Sequence, residues 1–216
     1  MTRPTALDTA VRLGAIGTEA APSRLSLRLE QSGSRHPDAE RAFVRARQLF
    51  IAGERIDMGE LAAELGVDRT SLFRWVGNRD ELLAEVLWSL AVPTLNHLDE
   101  ATTARGVDRL TGILTGFVDA LINAEYFQTF LRREPARSLR LLTTKQSEMQ
   151  KRFVAVVEYL IQTETDAGRL ALPLATHEVA SLLVRIAESF SYADIITGEE
   201  PSSERAGAAF AFVLRP

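Results

Sequence analysis

The sequence predicts an all-α fold. From about residue 38 onward, apolar residues recur at the three- and four-residue spacing of amphipathic helices, and runs that alternate apolar and polar residues are scarce. Only 13 glycines and 8 prolines interrupt the 216 residues. Hydrophobic residues make up 46% of the chain, which is enough to build a sizeable globular core.

The composition excludes several classes of site and location. Cysteine is absent, which rules out disulfide scaffolds, thiolate zinc sites and cysteine nucleophiles. His36, His97 and His177 lie far apart in the sequence, so we expect no metal and no other cofactor. No apolar run reaches membrane-spanning length, and the N-terminus lacks the apolar core of a signal peptide. We therefore expect a cytoplasmic protein without a membrane partner.

The chain is predicted to divide into an N-terminal extension (1–37), a first domain (38–92) and a second domain (93–216). The extension carries five arginines against three acids, and its Ser-Gly-Ser-Arg-His-Pro junction at 32–37 is typical of a flexible segment. The helices predicted in the first domain run from Asp38 to about Gly53, from Asp57 to Gly66, from Arg69 to Trp75 and from Asn78 to Pro93. Longer helices are predicted at about 105–124, 126–142, 145–168, 176–196 and 203–214, with breaks at Glu134-Pro135, Gly168, Pro173 and 198–201.

The stretch 57–76 has the pattern of a helix-turn-helix. Gly66 suits the left-handed turn position, Val67 can fill the space between the two helices, and Ala62 allows their backbones to approach. The second helix of such a motif lies in the major groove of DNA. Leu72 and Val76 are expected to face inward. The side chains expected to face DNA are Arg69, Thr70, Ser71, Arg74 and Trp75.

Three stretches of the first domain resemble the N-terminal domain of the TetR family of transcription regulators. They are Ala46-x-x-Leu49-Phe50-x-x-Gly53, Leu61-Ala62-x-x-Leu65-Gly66-Val67, and the run from Leu72 to Leu83. The resemblance implies a helix-turn-helix domain followed by a helical bundle for ligand binding and dimerisation. It adds Phe73, at a position where the family usually has a phosphate-contacting tyrosine, and Arg79, at the position of a lysine that approaches phosphate.

The chain is also similar to the QsdR-like branch of that family along residues 79–95, 130–144 and 186–201. This resemblance implies a small-molecule effector, either lactone-like or another apolar ligand. The aromatic candidates for contact with the effector are Trp88, Phe117, Phe127, Phe130, Phe153, Tyr159 and Tyr192, all of which can equally be ordinary core residues. Arg185 and Glu188 are three residues apart in an apolar helix, where they can hold a polar ligand group or form a structural ion pair.

The last two predicted helices suit a homodimer interface. The final one combines four small residues at 206–209 with Phe210, Phe212, Val213 and Leu214, so that two helices can approach closely and bury aromatic surface. The resemblance implies a two-fold interface at this place. The alternative is that the final helix covers the core of its own subunit.

The sequence therefore predicts a ligand-responsive regulator that binds operator double-stranded DNA as a homodimer, acts as a repressor and is not an enzyme. A helical enzyme is the first alternative, although no nucleophile–base pair is recognisable. A helical adaptor that binds only protein is the second, because residues 38–95 carry seven basic residues against ten acids. We expect the arginine-bearing extension to offset that unfavourable charge on DNA.

Overall fold

The computed structural model describes Leu25, residues 37–144 and residues 148–215, and within these ranges every regular element is a helix. The predicted all-α class is therefore confirmed. The predicted N-terminal extension lies outside the described residues apart from Leu25 and Pro37. The helices of the described chain are α1 (Pro37–Ile51), α2 (Met58–Leu65), α3 (Arg69–Val76), α4 (Arg79–Ala101), α5 (Gly106–Asn123), α6 (Glu125–Arg133), α7 (Pro135–Thr143), α8 (Met149–Asp166), α9 (Thr176–Ser191), α10 (Ala193–Ile196) and α11 (Ser203–Leu214).

The described residues form two compact units. The head unit contains residues 37–90 and 125–149, and the body unit contains residues 91–124 and 150–215. The division differs from the predicted boundary after residue 92, because α6 and α7 pack in the head unit. Phe50 near the end of α1 explains this: its ring meets those of Tyr126 and Phe130 edge-on, with centroids 5.8 and 5.5 Å apart. The boundary after residue 92 stays a prediction.

The core of the head unit follows from the helical spacing of its small and apolar residues. Ala42, Ala46 and Phe50 form one buried stripe along α1, and Leu61 of α2 and Leu72 of α3 are fully buried. Alanines in the stripe allow neighbouring helices to approach α1, which contacts α2, α3 and α6.

The predicted end of the fourth helix at Pro93 is wrong, since α4 continues to Ala101 with Pro93 inside it. A proline in a helix interior removes one backbone hydrogen bond and costs about 3 kcal/mol. Ala91 and Leu95 are buried on either side of Pro93. The burial of apolar residues beyond the proline offsets its cost, which a reading of local sequence signals cannot foresee.

Two of the predicted helical segments are each divided in two. The segment 126–142 is divided into α6 and α7 at the predicted break, because Pro135 begins the second helix at its first turn. The segment predicted at 176–196 is divided at Tyr192, where α9 ends and the four-residue helix α10 begins.

The body unit is built on α5, which packs against α9 and α11. Two glycines permit close approach. A side chain at Gly207 of α11 would lie 2.7 Å from the Thr115 hydroxyl of α5, and a side chain at Gly116 would lie 2.7 Å from a methyl group of Leu98. The rings of Phe117 and Phe153 also meet in this unit, with centroids 5.5 Å apart.

A buried carboxylate joins three chain segments of the body unit. Glu164 near the end of α8 is 1% exposed; it accepts hydrogen bonds from Arg109 at 2.9 Å, Arg169 at 2.6 Å and the backbone N–H of Gly106 at 2.7 Å. Arg109 also pairs with Asp99. The hydrogen bond from Arg169, supported by those of its neighbours, lowers the pKa of Glu164 to about 2. Glu164 therefore stays ionised across the physiological pH range.

Candidate DNA interface and effector site

The turn between α2 and α3 has the geometry that the sequence predicts for a helix-turn-helix. Asp57 caps α2 by accepting hydrogen bonds from the N–H groups of Gly59 (2.7 Å) and Glu60 (3.1 Å). Gly66 ends α2 in the left-handed conformation, with φ 71°. The Val67 N–H then returns to the carbonyl of Ala62 at 3.0 Å.

A second cap, which the sequence reading missed, fixes the start of α3. Asp68 accepts hydrogen bonds from both the backbone N–H and the hydroxyl of Ser71, at 2.9 and 2.7 Å. The Asp-x-x-Ser spacing was a usable signal for this cap. Ser71, predicted to face DNA, is half-buried and its hydroxyl is engaged by Asp68.

The exposed face of α3 carries four of the predicted DNA-facing residues: Arg69, Thr70, Phe73 and Arg74. The guanidinium of Arg69 stacks over the ring of Phe73, 5.7 Å from its centroid. Leu72 and Val76 are buried, in agreement with the sequence analysis.

Trp75 corrects the predicted exposed set. Its side chain is buried, with 8% exposure, together with Leu72 and Val76. Positions three and four residues apart share a helix face, so Trp75 lies on the same side of α3 as Leu72. The large apolar side chain of Trp75 therefore packs in the core of the head unit.

Arg79 is held inside the head unit. Its two terminal nitrogens donate to the two carboxylate oxygens of Glu134 at 2.6 and 2.5 Å, and its Nε donates to the carbonyl of Ile56 at 2.5 Å. The fork-to-fork geometry is the strong form of this ion pair, and it holds the pKa of Glu134 below its ordinary value. Arg137 pairs with both Glu134 and Asp80. The sequence reading could not find this cluster, because 55 residues separate Arg79 from Glu134.

The predicted effector residues fall into two groups. Trp88, Phe127 and Phe130 belong to the head unit, where Phe130 packs on Phe50. The body unit contains the other candidates: Phe117, Phe153, Tyr159, Arg185, Glu188 and Tyr192.

Glu188 is the most unusual of the body-unit candidates. It is 9% exposed in an apolar helix, and Arg185 donates to it at 2.8 Å, so the predicted ion pair forms. The Gln150 amide lies 2.8 Å from a guanidinium nitrogen of Arg185, close enough for its oxygen to accept. Burial raises the pKa of Glu188 despite the arginine, and burial also raises the pKa of Tyr192, with a further contribution from Glu188.

The final helix divides its small and apolar residues between two faces. Ala206, Phe210 and Leu214 are buried within the subunit. The opposite face leaves Ala208 exposed and Phe212 85% exposed. Leu182 of α9 and Ile196 of α10 are also exposed, at 43% and 52%. One face of α11 therefore covers the core of its own subunit, whereas the other remains an apolar surface, and its role as a dimer interface stays a prediction.

None of the helices among the described residues has the length and apolarity required to cross a bilayer. No group of three or more histidine or acidic side chains suited to a metal ion occurs in the same part of the chain.

Comparison with known proteins places these features in context. A family model for the C-terminal domain of tetracycline-repressor-like proteins matches residues 105–215. The structure of the Rhodococcus erythropolis transcriptional repressor QsdR, of the TetR family, is similar with a TM-score of 0.76 and 28% identity, and the match covers 82% of this chain and 94% of that chain. No curated protein sequence matches the chain.

Two more distant structures share the fold. A transcriptional regulator from Streptomyces coelicolor A3(2) has a TM-score of 0.51 and 16% identity, and covers 83% of this chain and 99% of its own. A TetR-family regulator from Rhodococcus sp. has a TM-score of 0.50 and 17% identity, and covers 82% of this chain and 96% of its own.

Proposed function

Because the chain belongs to the TetR family of transcriptional regulators, we propose that it is a repressor that leaves its operator when a small molecule binds. The observation that carries the proposal is the capped helix-turn-helix, whose second helix exposes two arginines, a hydroxyl and an aromatic ring together. The similar protein from R. erythropolis is itself described as a repressor, which supports the same role here.

We assign the reading of DNA to Arg69, Thr70, Phe73 and Arg74. Arginine donates to guanine edges or to phosphate, and a phenyl ring packs on a thymine methyl group. Phe73 has no hydroxyl, so its contact is apolar. Trp75 and Arg79 act from behind this surface, Trp75 as core and Arg79 through Glu134, and Ser71 keeps its hydroxyl on Asp68.

We place the effector in the body unit, beside Glu188. Burial raises the pKa of Glu188 and so favours its protonated form, and a protonated carboxyl can donate a hydrogen bond to a carbonyl oxygen. Arg185, one turn before Glu188 in α9, and Tyr192, one turn after Glu188 at the end of α9, add further polar groups. This combination suits a ligand with an apolar body and one carbonyl group, as a lactone has.

We also propose that two copies associate through the exposed apolar face of α9, α10 and α11. A helix-turn-helix dimer reads two half-sites about one helical turn apart, so association determines which operators fit. The ligand releases the dimer from DNA if its affinity for the conformation that cannot bind DNA is higher than its affinity for the DNA-binding conformation.

The proposal is tested by titrating fluorescent DNA from upstream of the reading frame with the purified full-length chain. We expect salt-dependent binding that a lactone carrying an alkyl chain reverses, whereas its ring-opened hydroxy acid, a carboxylate facing Glu188, acts more weakly. Failure to bind this DNA, or any duplex selected from a random pool, would contradict DNA recognition. Binding that no lactone alters would contradict only the effector assignment.

A further inference from the structure

The helices α6 and α7 add positive charge to the head unit. Residues 38–95 carry seven basic residues against ten acids, which opposes binding to phosphate. Residues 125–144 carry four arginines against two glutamates, and this segment packs in the same compact unit as the helix-turn-helix. The head unit therefore gains positive charge from a part of the chain that lies far beyond the motif.

The arginines of this segment differ in how much charge they offer to a partner. Arg137 and Arg140 both pair with Asp80, and Arg137 also pairs with Glu134. Arg133 is exposed and uses one nitrogen to donate to the carbonyl of Gly53 at 2.6 Å, in the loop that follows α1. No carboxylate of the described residues forms an ion pair with Arg133, so its charge remains available.

Arg55 lies in the same loop and lines one shallow cleft together with Arg133. Tyr126 and Thr129 line this cleft too, and so do the exposed Glu54 and the ion pair between Arg79 and Glu134. Arg55 is exposed and makes no ion pair within the described part of the chain. Because Arg79 and Glu134 neutralise each other, the cleft retains the two cations of Arg55 and Arg133 against the single carboxylate of Glu54, a charge balance suited to a phosphate group.

The cleft borders the start of the helix-turn-helix, because Arg55 and Ile56 line it and Asp57 follows them directly in the chain. Asp57, which caps α2, has its pKa lowered first by the N–H groups of Glu60 and Gly59, and further by the positive charges of Arg55 and Arg69. Arg55 belongs to the cleft and Arg69 to the exposed face of α3. Both cations therefore lie near one carboxylate, which they outnumber where the loop before α2 meets the recognition helix.

We propose that Arg55 and Arg133 form a second phosphate-binding patch, which holds the DNA backbone beside the bases that α3 reads. The inference rests on the proposed function and deepens it by adding a contact from outside the helix-turn-helix. The patch neutralises the backbone without reading sequence, and it offsets the repulsion of DNA by Glu54 and Asp57. Phosphate contacts of this kind position a protein on DNA and set the salt dependence of its binding.

The test compares Arg55→Gln, Arg133→Gln and the double variant with the parent, all as full-length chains. The control is Arg105→Gln in the body unit. It removes another exposed arginine, whose side chain makes no capping hydrogen bond at the start of α5. A mixed-sequence DNA duplex serves as the probe, because a phosphate contact acts on any sequence. Affinity is measured from 50 to 300 mM salt, and thermal melting checks that each variant folds.

We expect each single variant to reduce the slope of log affinity against log salt by about 1, and the double variant by about 2. The control should leave the slope unchanged. Arg55→Gln decides the matter if Arg133→Gln unfolds, since Arg55 donates no hydrogen bond within the described residues. On duplexes selected for binding to the parent, the variants should lose the same fraction of affinity for every DNA sequence.

Three results would overturn the inference. The first is a double variant with the parent slope, while Arg74→Ala still weakens binding, which leaves the proposed function intact. The second is a loss confined to particular sequences, which would make the patch a base-reading surface. The third is that inorganic phosphate binds the parent but not the double variant at fixed ionic strength, while both proteins bind DNA with the same affinity. That result would make the cleft a site for free anions. Absence of DNA binding by the parent would instead contradict the proposed function.

Discussion

At the scale of single residues, position on a helix face decides the role of a side chain more than its chemistry does. Arg74 in α3 and Arg79 at the start of α4 are only five residues apart, yet Arg74 is exposed and Arg79 is held by Glu134. Trp75 is large and amphipathic, but its spacing from Leu72 buries it. Spacing alone predicts Leu72 and Val76 correctly, and it predicts Trp75 as well once the three-residue spacing is applied.

Replacing Arg74 with alanine should weaken operator binding while changing stability little. A base contact by arginine contributes about 1–3 kcal/mol of binding free energy, which is roughly a fivefold to 150-fold change in affinity. Fluorescence anisotropy measures the affinity and thermal melting measures the stability. Arg105→Ala serves as the matched control. Unchanged affinity for Arg74→Ala at every salt concentration would remove this residue from the DNA-reading set.

Glu188→Gln should make unfolding depend less on pH. The pKa of this carboxyl is raised in the folded state, so the folded state retains the proton to higher pH than the unfolded state does. The contribution of Glu188 to stability is therefore present below about pH 4.5 and is lost as pH rises through the folded-state pKa.

Urea unfolding of both proteins between pH 4 and pH 8 measures this dependence. We expect the glutamine variant to gain stability relative to the parent as pH rises. A constant difference between the two proteins across this range would show that the carboxyl does not titrate as proposed.

At the scale of elements, the sequence predicts helices well because caps, glycines and apolar spacing are local signals. Asp57, Gly66 and Pro135 all act where the sequence indicates. Pairing between distant elements has no local signal. Nothing near Arg79 indicates that Glu134 will meet it, and nothing near Phe50 indicates Tyr126 as a neighbour. The assignment of α6 and α7 to the head unit depends on these long-range contacts, and so does the candidate phosphate cleft.

Glu164→Gln should destabilise the junction of α5 and α8. Its carboxylate joins two arginines and a backbone N–H, and its pKa of about 2 lies well below the ordinary value of 4.5. A lowered pKa stabilises the fold above the unfolded-state value, and this contribution is lost as pH falls toward 2. The shift corresponds to roughly 3 kcal/mol at neutral pH.

Chemical denaturation at pH 7 and at pH 3 tests that expectation, since the difference between variant and parent should shrink in acid. Glu200→Gln, at an exposed position in the segment before α11, is the control for loss of one acidic charge. An equal effect of the two substitutions would contradict the role assigned to Glu164.

At the scale of the whole molecule, the exposed apolar face of α11 favours association over a monomer. Phe212→Ser should shift the protein toward monomer and weaken operator binding, because a single head holds only one half-site. Leu174→Ser removes another exposed apolar side chain, outside α9 to α11, and should leave the oligomeric state unchanged. Sedimentation velocity distinguishes these results. A Phe212→Ser protein that sediments like the parent dimer would place the interface elsewhere.

The division of the chain between head and body units also determines when the DNA-reading unit is complete during synthesis. A ribosome that has released residues 37–90 has supplied α1 to α3, but the partners of Phe50 and Arg79 come from α6 and the turn before α7. The body residues 91–124 must be translated before those partners emerge. The nascent head therefore lacks its aromatic support and the ion pair of Arg79 until Glu134 has left the ribosome. A transplanted helix-turn-helix that stops at residue 92 would remain in that unfinished state, so a chimaera needs α6 and α7 as well.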